Sequence, residues 1–181
     1  MCFYLYMCFS RLSVILVLIL SVEFAGAAEG AGDAYAPLWL YNGSWRVTRK
    51  DLAPGAKPDK LVNQCALVGK YFTCQQIVNG EPGALLIFVP ANQPGHYHTQ
   101  NVRLDGRGGG RGDLEIEGNR WTYSSTWDQG GTTTYYKTIN TFTGGNRIHF
   151  EQLESKNNKD WKSTNSGDEV RIAGGTKTIA R

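Results

Sequence analysis

His96 and His98 stand two apart in Pro94-Gly95-His96-Tyr97-His98. On a strand, residues i and i+2 share a face, so two imidazoles so placed can chelate zinc or copper when a third ligand joins them. His149 or a carboxylate is the alternative that would complete the set. No third ligand stands close in sequence, so the pair reads as two solvent-facing histidines beside a turn, and no metal is assigned. Glu115 and Glu117 are a second constellation, with Cα atoms about 6.5–7 Å apart on a strand, near the separations of glycosidase carboxylates. They alternate with Leu114 and Ile116, which puts both glutamates in water. There is no Gly-x-Ser-x-Gly elbow. No cofactor is expected, and the chain is not expected to be an enzyme.

Other short motifs have plain readings. Asp105-Gly106-Arg107-Gly108-Gly109-Gly110-Arg111-Gly112-Asp113 could cradle an anion with successive N–H groups. It lacks the Gly-Lys-Ser/Thr of a P-loop and reads as a flexible hairpin tip. Arg111-Gly112-Asp113 spells an adhesion tripeptide from three common loop residues. Asn42-Gly43-Ser44 is a glycosylation sequon at a strand start, where a glycan would interfere.

The elements that must position these residues are short strands. Gly, Pro, Asn and Asp interrupt every stretch before a long amphipathic helix can accumulate. Strands are predicted near 44–50, 60–66, 71–78, 84–89, 97–104, 112–117, 120–127, 132–142, 147–153 and 161–172. Tight hairpin links such as Asn79-Gly80, Gly118-Asn119, Gly130-Gly131 and Gly144-Gly145-Asn146 join several of them. Consecutive hairpins make an antiparallel meander, and about ten twisted strands close because closure removes exposed edges. The prediction is all-β: an up-and-down meander closing into a roughly ten-stranded barrel. A two-sheet sandwich is the runner-up, but it requires longer crossings than these links provide.

The leading residues read as a signal peptide. Arg11 precedes an apolar core of residues 12–22, and Ala25-Gly26-Ala27 offers the small residues a signal peptidase accepts. The core ends at Glu23, short of the roughly 20 apolar residues of a membrane span. Cleavage after Ala27 is expected, giving a secreted or periplasmic protein with no stable membrane span, and Met7 is an alternative initiator. Cys2 and Cys8 leave with that segment. Cys65 and Cys74 remain, and in an oxidising compartment two such cysteines on neighbouring strands are expected to form a disulfide. Metal ligation is the alternative, without a nearby partner. The formal net charge of +3 and the absence of like-charge runs give no sign of nucleic-acid binding.

Tyr41-Asn42-Gly43-Ser44-Trp45-Arg46 carries a resemblance. A Gly-x-Trp entering the first strand, ahead of a full barrel's worth of strands, resembles the start of a calycin barrel, the superfamily of lipocalins. The resemblance implies that Trp45 closes the barrel floor and that a basic residue of the last strand, Arg171, packs across its ring. Lipocalins proper have a long helix after the eighth strand, a disulfide to the C-terminal region and a Thr-Asp-Tyr turn. This chain has none of those signals, and it looks more like the uncharacterised secreted lipocalin-like proteins of bacteria. No catalytic residue transfers. The division is a signal peptide over 1–27, a flexible segment over 28–40, a lipocalin-like barrel over 41–173 and a tail over 174–181.

Within that domain Pro37-Leu38-Trp39-Leu40-Tyr41 is expected to form a short turn or 3₁₀ segment that plugs one end. A closed barrel of this size holds one small ligand or its own side chains. The expected function is binding of a small hydrophobic or aromatic molecule, with Tyr71, Phe88, Tyr97, Trp121, Tyr123, Trp127, Tyr136 and Phe142 as wall. The sparse Leu, Ile and Val after residue 90 suggest an interior that is not purely oily. The alternative is an envelope interaction or structural protein with a filled barrel, and a cavity above about 300 Å³ separates the two.

Overall fold

The structure, a computed structural model, describes residues 34–105, 110–175 and 178–180. The expected signal peptide, residues 28–33 and residues 106–109 of the glycine-rich stretch lie outside the described residues. Eleven strands among the described residues form one sheet. They are β1 (Gly43–Arg49), β2 (Asp59–Val68), β3 (Tyr71–Val78), β4 (Glu81–Pro90), β5 (His96–Arg103), β6 (Arg111–Glu117), β7 (Arg120–Gln129), β8 (Thr132–Thr143), β9 (Arg147–Ser155), β10 (Lys162–Gly174) and β11 (Thr178–Ala180). Each of the first nine pairs antiparallel with the next, and β1 pairs with both β2 and β10. The meander is therefore a closed ten-stranded barrel.

The turns explain the connectivity. Asn79 and Gly80 both have positive φ, 54° and 92°, as a two-residue hairpin requires. Because strands alternate in direction, the links at 69–70, 91–95, 118–119 and 144–146 gather at one end. The longer links at 50–58 and 156–161 gather at the other, together with 79–80 and 130–131, the end of β5 and the start of β6.

The first end is closed. Pro37–Tyr41 is a 3₁₀ helix whose Leu38 and Tyr41 are buried. Tyr35 is wholly buried as well, and its hydroxyl donates to the carbonyls of Lys70 (2.8 Å) and Phe88 (3.2 Å). The segment expected to be flexible up to residue 40 is thus packed from at least Ala34, because the open end of the sheet offers apolar surface for it to cover. Within the C-terminal tail, Thr178–Ala180 pairs in parallel with Ala66–Val68 of β2, beyond the reach of β1.

Inward residues at this end pack as an aromatic stack. Trp121 lies 4.5 Å from Phe142 and 5.0 Å from Tyr41, and Phe72 lies 5.7 Å from Tyr35 and 5.9 Å from Phe88 (ring centroids). Burying each such side chain contributes about 1.5–3 kcal/mol. The Arg171 guanidinium sits 4.1 Å over the Trp45 ring. It donates from Nε to Gly145 O (2.8 Å), from Nη1 to Asn42 O (2.6 Å) and from Nη2 to Leu40 O. This arrangement demands glycine at 43: its φ is +133°, and a Cβ there would come within 2.7 Å of Arg171 Nη1. Cys65 and Cys74 face each other across β2 and β3 and are joined in a disulfide.

Candidate binding site

Moving from the closed end toward the loop end, the inward positions change from apolar to polar. On β2 Leu67 and Cys65 give way to Asn63, and on β3 Phe72 and Cys74 give way to Gln76. Tyr97 on β5 is followed by Thr99 and Asn101. On β8 Phe142 is preceded by Asn140 and Thr138, and on β9 Phe150 is followed by Gln152. On β10 Arg171 is preceded by Glu169 on the same face. These residues enclose a cavity of about 570 Å³, floored by Tyr41, Phe88 and Cys74 and reaching the loop end at Arg49, Asp59 and Gly110.

Some of its polar groups are satisfied. Asn140 Nδ2 donates to the Tyr41 hydroxyl, and Gln76 Nε2 donates to Asn63 Oδ1 at 3.4 Å. Among the described residues, three buried side-chain atoms have no hydrogen-bond partner: Asn101 Oδ1, the Tyr123 hydroxyl and Glu169 Oε2. All three residues line the cavity. Leaving such a group unmade costs about 1–3 kcal/mol, so each of the three calls for a partner inside the cavity. The Tyr123 hydroxyl neighbours that of Tyr41, but no hydrogen bond of acceptable geometry reaches it.

Burial raises the Glu169 carboxyl from 4.5 to about 7. Burial also pushes the Tyr41 and Tyr123 hydroxyls up, and the Glu169 charge adds to both shifts, which places the three groups within electrostatic reach. Arg171 lies two residues along the same face, and its Nε, Nη1 and Nη2 each donate to a backbone carbonyl. Arg49 is held by Asp51 and Asp59, both at 3.6 Å. The site can therefore hold or release one proton near neutral pH and offers acceptors in a low-dielectric setting.

A larger hollow of about 890 Å³ lies on the outer wall, lined by Ile87, His98, Tyr135, Lys137 and Trp161 among others. It shares Thr99, Arg111, Gly112, Ser124 and Ser125 with the inner cavity. The two meet where the wall parts, because β6 begins at Arg111 and its pairing with β7 stops at Gly112–Ser125. Size favours the outer hollow, but the unpartnered buried atoms belong to the inner one, and they make it the candidate site.

Of the eight expected wall residues, Phe88 and Tyr123 line the inner cavity. Tyr97, Trp121 and Phe142 face inward but are buried in the packed floor, with the Tyr97 hydroxyl donating to Ala34 O at 2.6 Å. Three expectations fail. Tyr71 is 53% exposed, because Phe72 takes the inward parity on β3 and Tyr71 points out. Trp127 is 44% exposed, since β6 does not reach beyond Ser125 and the β7–β8 tip projects past it. Tyr136 lines the outer hollow instead.

The histidines do not converge. His96 meets Glu115 (3.8 Å), His98 meets Asp113 (2.9 Å) and His149 meets Asp168 (3.2 Å), each across neighbouring strands. Among the described residues no group of three or more His, Cys, Asp or Glu is placed to hold a metal ion. Glu117 stays on the outer face of β6 with Glu115. Asn42 of the sequon is buried, and its Oδ1 accepts from Cys65 N at 3.2 Å, so it is a structural residue.

The polar residues above the floor, Glu169 first among them, are the ones the sequence reading misses. One signal for it exists. If Arg171 packs inside across Trp45, strand alternation sends Glu169 inside too, against the usual preference of a glutamate for water.

No protein family matches the chain, and no curated protein is similar to it in sequence. The crystal structure of Rv2717c from M. tuberculosis is similar at a TM-score of 0.44 and 14% identity, over 76% of this chain and 96% of that one. No conclusion is drawn from a likeness at that level.

Proposed function

We propose that the protein is a lipocalin-like container that works outside the cytoplasm and binds one small molecule in the loop-end half of its barrel. The observation that carries this reading is the cavity of about 570 Å³ in which three buried polar atoms point without partners. That volume lies within the roughly 300–1,000 Å³ of ligand pockets. The ligand expected from the aromatic residues alone was hydrophobic. The cavity wall favours a molecule with an apolar part on Tyr41 and Phe88 and polar groups facing Asn101, Tyr123 and Glu169. A setting outside the cytoplasm is supported by the Cys65–Cys74 disulfide, since such bonds persist in oxidising compartments. Among the described residues no helix is long and apolar enough to cross a membrane. The cavity above the packed floor supports this reading over the alternative of a filled barrel.

Native mass spectrometry of protein purified from its own host tests the reading. A mass excess that vanishes on denaturation is expected. A clean apo mass, with no response to a range of small-molecule probes, would contradict it.

A further inference from the structure

The chemistry of the cavity wall narrows the ligand class, and this inference rests on the binding reading above. Two of the three unpartnered atoms, Asn101 Oδ1 and a carboxylate Glu169 Oε2, are acceptors, so they call for a donor-rich partner. The third, the Tyr123 hydroxyl, can accept as well as donate. The protein supplies no ion-pair partner for Glu169 among the described residues. On its own strand Arg171 is bound to carbonyls, and on neighbouring β1 Arg49 is bound to Asp51 and to Asp59 of β2. Neighbouring β9 presents the neutral Phe150 and Gln152 to the cavity, and the groups facing Glu169 from the 3₁₀ helix and β7 are the phenols of Tyr41 and Tyr123. Arg111 of β6 also lines the cavity, at the loop-end start of its strand. A buried carboxylate unmatched by a cation is costly, whereas one matched by a cation gains charge-assisted hydrogen bonds. Aromatic rings beside it add attraction for that same cation.

We infer that the barrel binds an organic ammonium, its N–H donors directed at Glu169 Oε2 beside the rings of Tyr41 and Tyr123. A carboxylate ligand meets repulsion at Glu169, and a neutral alcohol gains hydrogen bonds without the ionic part.

Isothermal titration of the purified protein with 2-phenylethylammonium, 2-phenylethanol and 3-phenylpropanoate tests the assignment. At about pH 8 the ammonium should bind on the order of tenfold or more tighter than the alcohol, with the carboxylate weakest. At about pH 6 the ammonium's advantage should shrink, and two buffers of different ionisation enthalpy should report proton release on binding. Glu169→Gln should abolish both the proton release and the preference for the ammonium while keeping alcohol binding. Equal or tighter binding of the alcohol by the unaltered protein overturns the ammonium assignment and leaves the container reading standing. A preference that survives Glu169→Gln overturns it too. No heat from any of the three also overturns it, and native mass spectrometry then decides separately whether the barrel binds anything.

Discussion

Glu169 is the residue on which the chemistry of this barrel turns. Its carboxyl is raised by burial to about 7, so the folded protein holds a proton that the unfolded chain releases above about pH 4.5. The stability this gives is fully present below about pH 4.5 and is lost as pH rises through about 7. Replacing the carboxyl by an amide removes that loss. Glu169→Gln is therefore expected to be more stable than the parent at pH 8 by up to about 3 kcal/mol, with little difference at pH 4. Urea denaturation at the two pH values checks it, and an equal change at both would contradict it. Arg171 acts in the opposite sense. Arg171→Ala loses the stack on Trp45 and the bonds to three carbonyls, and an unfolding free energy lower by roughly 2–4 kcal/mol is expected. Arg171→Lys should recover only part of it, because one ammonium cannot match the guanidinium fork.

The elements divide into those that close the barrel and those that leave it open. The 3₁₀ helix and Tyr35 close one end, and Tyr35→Ala should cost about 3–5 kcal/mol, as other large-to-small core aromatic replacements do. A chemical denaturation midpoint unchanged from the parent would show that the plug does not hold that end. The Cys65–Cys74 bridge ties β2 to β3 beside the cavity floor. A non-reducing digest is expected to yield one linked peptide pair containing both cysteines, and the double serine variant should be about 2–3 kcal/mol less stable. Recovery of the two as separate thiol peptides would contradict the bridge. All ten barrel strands were legible in the sequence, because glycine and asparagine turns punctuate alternating segments. Face assignment was legible where alternation was strict, as at Leu114 and Glu115. It failed at Tyr71, next to Phe72, where two adjacent aromatics leave the parity open until register is known. The eleventh strand was not legible, since three residues in parallel pairing carry no turn or periodic signal of their own.

At the scale of the molecule, one sheet serves two purposes because its inward surface is graded. Aromatic residues fill the plugged end, while amides, hydroxyls, the carboxyls of Asp59 and Glu169 and the guanidiniums of Arg49 and Arg111 line the end where the longer loops gather. Composition hinted at this gradient through its shortage of branched aliphatics after residue 90, yet it could not say which polar residues turn inward. Only closure, which places β10 beside β1, brings Glu169 to the inner wall near Tyr41 and Tyr123. This wall is expected to bind a molecule other than water. A high-resolution crystal structure of the protein purified from its own host tests it most directly. The expected result is density for an organic molecule with polar atoms at about 2.7–3.2 Å from Asn101 Oδ1, the Tyr123 hydroxyl and Glu169 Oε2. A cavity holding only water molecules bridging those three atoms would contradict it.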